Sequence, residues 1–179
     1  MFLDTHAHLL SILDQGVMTR SELEQLLARG FGPIIDIGTR SQDALERWQV
    51  LKDLPNVYFS LGIWPDRQAI AEFDTEMQQL RQQLEVIPAN RLVAIGEAGI
   101  DRSHNKIEVG TDIAGEYELF RSQASLAQEL DLPLIVHSRD SALETYNILK
   151  DFSHIDLILH CFSYNREEAR NFLDLGAYI

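Results

Sequence analysis

Two histidines stand one residue apart in Asp4-Thr5-His6-Ala7-His8, directly behind the apolar Phe2 and Leu3. Alternate side chains of an extended segment point to one face, so Asp4, His6 and His8 would line up together. A polar turn after a short strand would give the same pattern, so the rest of the chain has to decide. Three further groups occur at comparable places: Glu97 in "VAIGEAGID", His137 in "LPLIVHSRD" and His160 in "DLILHCFS", each near the carboxyl end of a short apolar run. Neutral imidazoles with a carboxylate suit a borderline divalent metal such as zinc, manganese, iron or nickel. Five such ligands are too many for one tetrahedral zinc. They suit two ions about 3.5–4 Å apart that share a carboxylate and grip the attacking and leaving oxygens of a displacement. Glu97, from the middle of the set, is the expected bridge and the residue assigned a catalytic part.

For these groups to meet, the elements carrying them must bring strand ends together. Apolar runs too short for helices begin at Met1, Gly32, Asn56, Arg91, Leu132, Asp156 and Gly176, and longer amphipathic segments alternate with them. The spacing predicts helices over 19–30, 41–53, 74–87, 114–130, 140–151 and 165–175. Thr19 with Glu22, and Asn165 with Glu168, read as helix-start boxes, and Gly30 and Gly176 stand where helices would end. Six strand–helix units and the start of a seventh strand specify an α/β protein with a parallel sheet covered by helices. The strands are apolar throughout, as burial on both faces requires. The reading is a (β/α)8 TIM barrel of which these residues are the first six β/α units plus the start of strand seven. In such a barrel the carboxyl ends of the strands share one rim, where active sites are built. No phosphate-binding glycine loop of either nucleotide-binding type occurs.

Composition sets bounds on this reading. The 179 residues are expected to form a single domain, and 45% hydrophobic with 24% charged residues is ordinary for a globular chain. No apolar run approaches the roughly 20 residues of a membrane helix, so no membrane partner is expected and a cytoplasmic location is the default. The single cysteine, Cys161, cannot form an intrachain disulfide. A net charge of −13 opposes sequence-independent nucleic-acid binding. Bound divalent cations would reverse that sign locally.

The stretches "FLDTHAHL", "VAIGEAGID", "LPLIVHSRD" and "LILHCFS" resemble, in order and spacing, the signatures of the TatD-related metal-dependent deoxyribonucleases, a branch of the amidohydrolase-like TIM-barrel hydrolases. The resemblance runs along essentially the whole chain. It implies that His6 and His8 bind one metal, His137 and His160 the other, and Glu97 both. It also implies two divalent ions (Mg, Mn or Zn) and cleavage of DNA phosphodiesters. Two departures accompany it. Where the family usually has Gly-x-His-Pro-His after the third strand, this chain has "GIWPD", so Trp64 and Asp66 replace histidines. The family's remaining ligand is an aspartate after the eighth strand, so residues beyond Ile179 are expected in the intact protein, and an incomplete barrel would leave open sheet edges able to self-associate.

Arg139, two places past His137, is expected to hold a phosphate oxygen, Trp64 to stack a base, and Asp101 to make a contact behind the metals or to shape a loop. Each has a plain alternative: a surface charge, a space-filler, a loop turn. Asp140 reads as a helix cap, His104 as a solvated loop residue, His154 as a residue of the opposite barrel face, and Cys161 as a small buried side chain turned away from His160. DNA is the expected substrate, with no obligate protein partner. The competing functions are a metal-dependent hydrolase of a small ester or amide, and a non-catalytic metal-binding fragment acting through its open edge.

Overall fold

A computed structural model describes residues 2–106 and 112–179. Six strands form one parallel sheet in sequential order: β1 (Phe2–Ala7), β2 (Phe31–Asp36), β3 (Val57–Leu61), β4 (Leu92–Asp101), β5 (Leu134–Arg139) and β6 (Leu157–Leu159). Between them lie α1 (Leu9–Asp14), α2 (Arg20–Ala28), α3 (Ala44–Leu51), α4 (Arg67–Ala71), α5 (Phe73–Gln83), α6 (Ile113–Leu130) and α7 (Ala142–Leu149), with α8 (Arg166–Asp174) after β6. Tyr178 bridges in parallel to Ile158 and begins a seventh strand. The alternating strands and helices are therefore as read from the periodicity. The additions are α1 and α4, of six and five residues, too short to show a helical repeat.

The sheet is curled. In a flat sheet, five strand spacings of about 4.8 Å would hold β1 and β6 roughly 24 Å apart. Yet the rings of His6, on β1, and His160, just past β6, stack with centroids 4.1 Å apart. Six strands thus form a partial barrel whose concave side holds Ile35, Ile37, Ala94, Ile135 and Ile158 in one apolar layer. Ile135 precedes His137, and Ile158 precedes His160, by two residues on the same face, so this layer floors the histidines. The larger core, including Phe59, Leu61, Leu80, Leu119, Phe120 and Leu134, seals the helices against the outer face.

Local signals explain several boundaries. The Thr19 and Asn165 side chains both complete reciprocal boxes with the glutamates three positions on. Gly30 and Gly176 follow α2 and α8 at φ of 85° and 82°, conformations that a Cβ disfavours. Asp140 is not the cap of α7: it lies at φ 51°, and the cap position belongs to Ser141, whose hydroxyl instead donates to the Ile100 carbonyl. Cys161 is exposed rather than buried, because β6 ends at Leu159 and strand alternation no longer orients it.

One buried ion network ties the first three strands together. Arg47 of α3, 3% exposed, donates through Nε to Asp36 Oδ2 (2.7 Å), and through a terminal nitrogen to Asp43 Oδ1 (2.9 Å) and the Ser60 carbonyl (3.0 Å). Asp36 Oδ1 accepts the Leu9 N–H at 2.8 Å, which holds the start of α1 directly behind His8. Arg47→Met would strand two buried carboxylates, and removing one partner of a buried pair costs about 3–5 kcal/mol. The expected result is a lower denaturant midpoint at unchanged m-value, measured by urea unfolding.

Candidate metal centre

Glu97 is placed by glycines. It lies in β4 where the pairing with β5 gains a residue, Ile95 facing Leu134 and Ala98 facing Val136. A bulge of this kind re-aims a side chain. A Cβ on Gly96 would meet the Ile135 carbonyl oxygen at 2.4 Å, and one on Gly99 would meet the His137 carbonyl oxygen at 1.7 Å. Small residues on both sides of Glu97 therefore let β4 approach β5 closely enough to set the carboxylate among the histidines. Register shifts also run through β1 on both sides of Asp4. They break the strict alternation expected there: Asp4 Oδ1 accepts the backbone N–H of His6 at 3.0 Å and borders the apolar space under α1 and α2, while His8 has already left the strand.

The two oxygens of Glu97 each face two imidazoles. Oε2 lies 3.3 Å from His6 Nε2 and 3.9 Å from His8 Nε2. Oε1 lies 2.8 Å from His137 Nδ1 and 3.0 Å from His160 Nε2, and those two nitrogens are 3.1 Å apart. The carboxylate is 4% exposed, whereas the His8 side chain is 44% exposed and opens the cluster to solvent. Burial pushes the Glu97 carboxyl up, but hydrogen bonds with His137, His160 and His6 outweigh it and hold the group far below the usual carboxylate range. Burial lowers His8, an effect the charge of Glu97 only partly offsets.

A neutral imidazole turns a lone pair toward its partner unless that nitrogen carries the proton, and a lone pair facing a carboxylate oxygen is repulsive without a cation between them. His6, His8 and Glu97 form one set of donor atoms within 4.8 Å of one another, and Glu97, His137 and His160 form another. Their chemistry and spacing fit divalent ions with bonds of about 2.0–2.2 Å.

Asp101 stands behind His137. Its Oδ2 is 2.9 Å from His137 Nε2, which leaves Nδ1 directed at Glu97, and its Oδ1 accepts the His104 N–H at 2.7 Å. At 2% exposure it contacts both the His137 ring and the backbone of the following turn. Behind it, Glu116 of α6, fully buried, accepts the Asp101 N–H at 3.1 Å and the Asn105 side-chain N–H at 3.0 Å, and pairs with Arg102. The sequence alone had not singled out Glu116, because a glutamate in a helix usually faces water.

Trp64 stands at the mouth, its ring centroid 5.8 Å from that of His137 and 4.8 Å from that of His104. His104 is exposed in a turn, as read from the sequence, with one edge of its ring against Trp64. Asp66 caps α4, accepting the Ala69 N–H at 2.9 Å. Arg139 is exposed at the end of β5, and its side chain makes no ion pair among the described residues. His154 is exposed ahead of β6. A cleft of about 300 Å³ lined by His8, Thr39, Arg40, Trp64, Asp66 and Glu97 opens above the cluster. Arg40, in the loop "GTRSQD", was missed because a lone arginine past a strand carries no pattern.

A partial parallel barrel with imidazoles and a shared carboxylate on its carboxyl rim is the architecture of metal-dependent barrel hydrolases. Residues 3–179 match the family model described as TatD related DNase, and the chain belongs to that family. It is 28% identical over 185 residues to the uncharacterized metal-dependent hydrolase YabD of Bacillus subtilis strain 168, covering 100% of this chain and 68% of the relative. It is 29% identical over 161 residues to a 3'-5' ssDNA/RNA exonuclease TatD of a Rahnella strain, covering 88% of this chain and 58% of the relative. The crystal structure of YJJV, a TatD homolog from Escherichia coli K12, superposes with a TM-score of 0.77 at 28% identity, over 98% of this chain and 66% of that one. The chain spans about two thirds of the length of YabD and of the YJJV structure.

Burial lowers His137, but its hydrogen bonds to Glu97 and Asp101 prevail and raise it above the ordinary imidazole value. Removing one of those negative partners must lower it. In metal-free protein, Asp101→Asn is expected to shift the His137 titration to lower pH, read from the histidine ring signals by NMR. An unchanged titration would show that Asp101 does not govern this ring.

Proposed function

We propose that the protein is a divalent-metal-dependent phosphodiesterase acting on DNA, with one ion held by His6, His8 and Glu97 and a second by Glu97, His137 and His160. The observation that carries this reading is the division of Glu97 between two pairs of imidazoles, one pair on each carboxylate oxygen. Membership of the TatD related DNase family and the ssDNA/RNA exonuclease name of the Rahnella relative support a nucleic-acid substrate. When bound, the ions would acidify a water and offset the charge gathering on a phosphate under attack.

The chain's own residues supply orientation. Asp101 keeps His137 Nδ1 turned toward Glu97, and the β4 bulge and its glycines keep Glu97 among all four rings. Trp64 offers an aromatic face at the cleft mouth on which a base can stack, the kind of contact that tolerates any sequence. Arg139 provides a planar guanidinium on the His137 side for a non-bridging phosphate oxygen. The acidic surface repels a polyanion at long range, so capture depends on the cations of the rim.

Dialysed protein is expected to take up two equivalents of manganese or zinc by elemental analysis. Glu97→Gln should lose both, and His6→Ala only one. The loaded protein should cleave single-stranded DNA and stop on adding a chelator. Turnover of small esters but not DNA would move the assignment to a small-molecule hydrolase, and two bound ions without turnover would remove the enzymatic reading.

A further inference from the structure

We infer that Arg40 is a phosphate-positioning residue that receives the substrate on the His8 side of the metal centre; this rests on the phosphodiesterase reading above. Three cavities meet at Arg40: the cleft over the metal centre, of about 300 Å³, a neighbouring one of about 310 Å³ toward α4 and α5, and a third of about 340 Å³ toward α1. It shares the first of these with His8, Thr39, Trp64, Asp66 and Glu97.

Its backbone is held while its head group is not. Asp43 Oδ2 accepts the N–H groups of Thr39 (2.9 Å) and Arg40 (3.1 Å), and Asp43 is itself fixed by the buried Arg47 at 2.9 Å. The Arg40 side chain is exposed and makes no hydrogen bond or ion pair among the described residues, although Asp66, Glu46 and Glu76 line the adjoining cavity. An arginine beside so many carboxylates would ordinarily be drawn into a pair. The fixed backbone keeps the guanidinium within reach of the cleft, and no internal partner has to be broken before its planar fork takes an incoming anion.

The surrounding charges restrict which anion it can take. Asp66 lines both the cleft and the neighbouring cavity, and beyond Arg40 that cavity becomes more acidic through Glu46 and Glu76, so a phosphate is favoured beside the guanidinium and disfavoured farther along. Arg40 therefore selects the single phosphate next to the metal centre, and an uncharged base or sugar fits the space beyond it.

The test compares wild type, Arg40→Ala and Arg40→Lys, each checked for unchanged metal uptake. With single-stranded DNA, Arg40→Ala is expected to raise KM about tenfold or more with a smaller effect on kcat. Arg40→Lys should restore part of the loss, since it keeps the charge without the fork, and added guanidinium chloride at millimolar concentration should partly rescue Arg40→Ala but not wild type. Binding of inorganic phosphate to metal-loaded protein, measured by calorimetry, should weaken in parallel. Unchanged KM and unchanged phosphate affinity in Arg40→Ala would overturn the inference. Should wild type cleave no DNA while phosphate binding still depends on Arg40, the phosphodiesterase reading fails and the anion site stands.

Discussion

A single carboxylate, that of Glu97, faces four imidazoles from three other segments of the chain, and the remaining architecture can be understood as what is needed to permit this. Its two oxygens are divided between His6 and His8 on one side and His137 and His160 on the other. Burying that charge is unfavourable unless it is compensated, and here the compensation comes from donors that the fold must carry across the full width of a sheet. Only a curled sheet can do so, because the first and last of six parallel strands otherwise stand too far apart to touch.

Closeness of approach has its own requirements. Side chains are absent at Gly96 and Gly99, where any Cβ would strike the backbone of β5, and that proximity lets Glu97 and His137 share a proton or an ion. The floor of the cluster is apolar, formed by Ile37, Ala94 and Ile135, so water is kept from beneath the histidines and Glu97. Behind the ligands the environment changes character. Asp101, Asn105, Glu116 and Arg102 form a buried polar group on one side, and Asp36, Asp43 and Arg47 another, each linking loops of the rim to helices outside the sheet. Such networks hold the side chains they contact at a defined angle, at the cost of desolvation.

Charge is distributed unevenly between the chain as a whole and its rim. The overall balance of −13 opposes approach, while the metal centre concentrates donors for cations within a small volume and exposed guanidinium groups stand at its edge. Binding strength in such a site resides in a few short-range contacts in place of a broad basic surface, and among the described residues no helix is long and apolar enough to cross a membrane.

Much of this was legible before any coordinates. The order of strands and helices followed from hydrophobic periodicity, since apolar runs buried on both faces and amphipathic helices over them leave distinct marks. His6, His8, Glu97, His137 and His160 stood out because polar residues recurred at one place in successive units. The common face assumed for Asp4, His6 and His8 holds for the two histidines, which meet at one oxygen of Glu97, but not for Asp4, because register shifts that depend on β2 turn it under α1 and α2. Asp140 and Cys161 were misplaced for a related reason: both lie at positive φ just past a strand, where loop closure and not periodicity sets direction. Glu116, Arg47 and Arg40 carried no local signal at all, because whether a charged side chain is buried, paired or left open depends on elements distant in sequence. The sequence by itself thus determined which residues could bind a metal and which strands carry or lead into them. Tertiary structure alone decided that they meet around one carboxylate, because convergence depends on how far the sheet curls and how closely its strands approach, and both are properties of packing between segments.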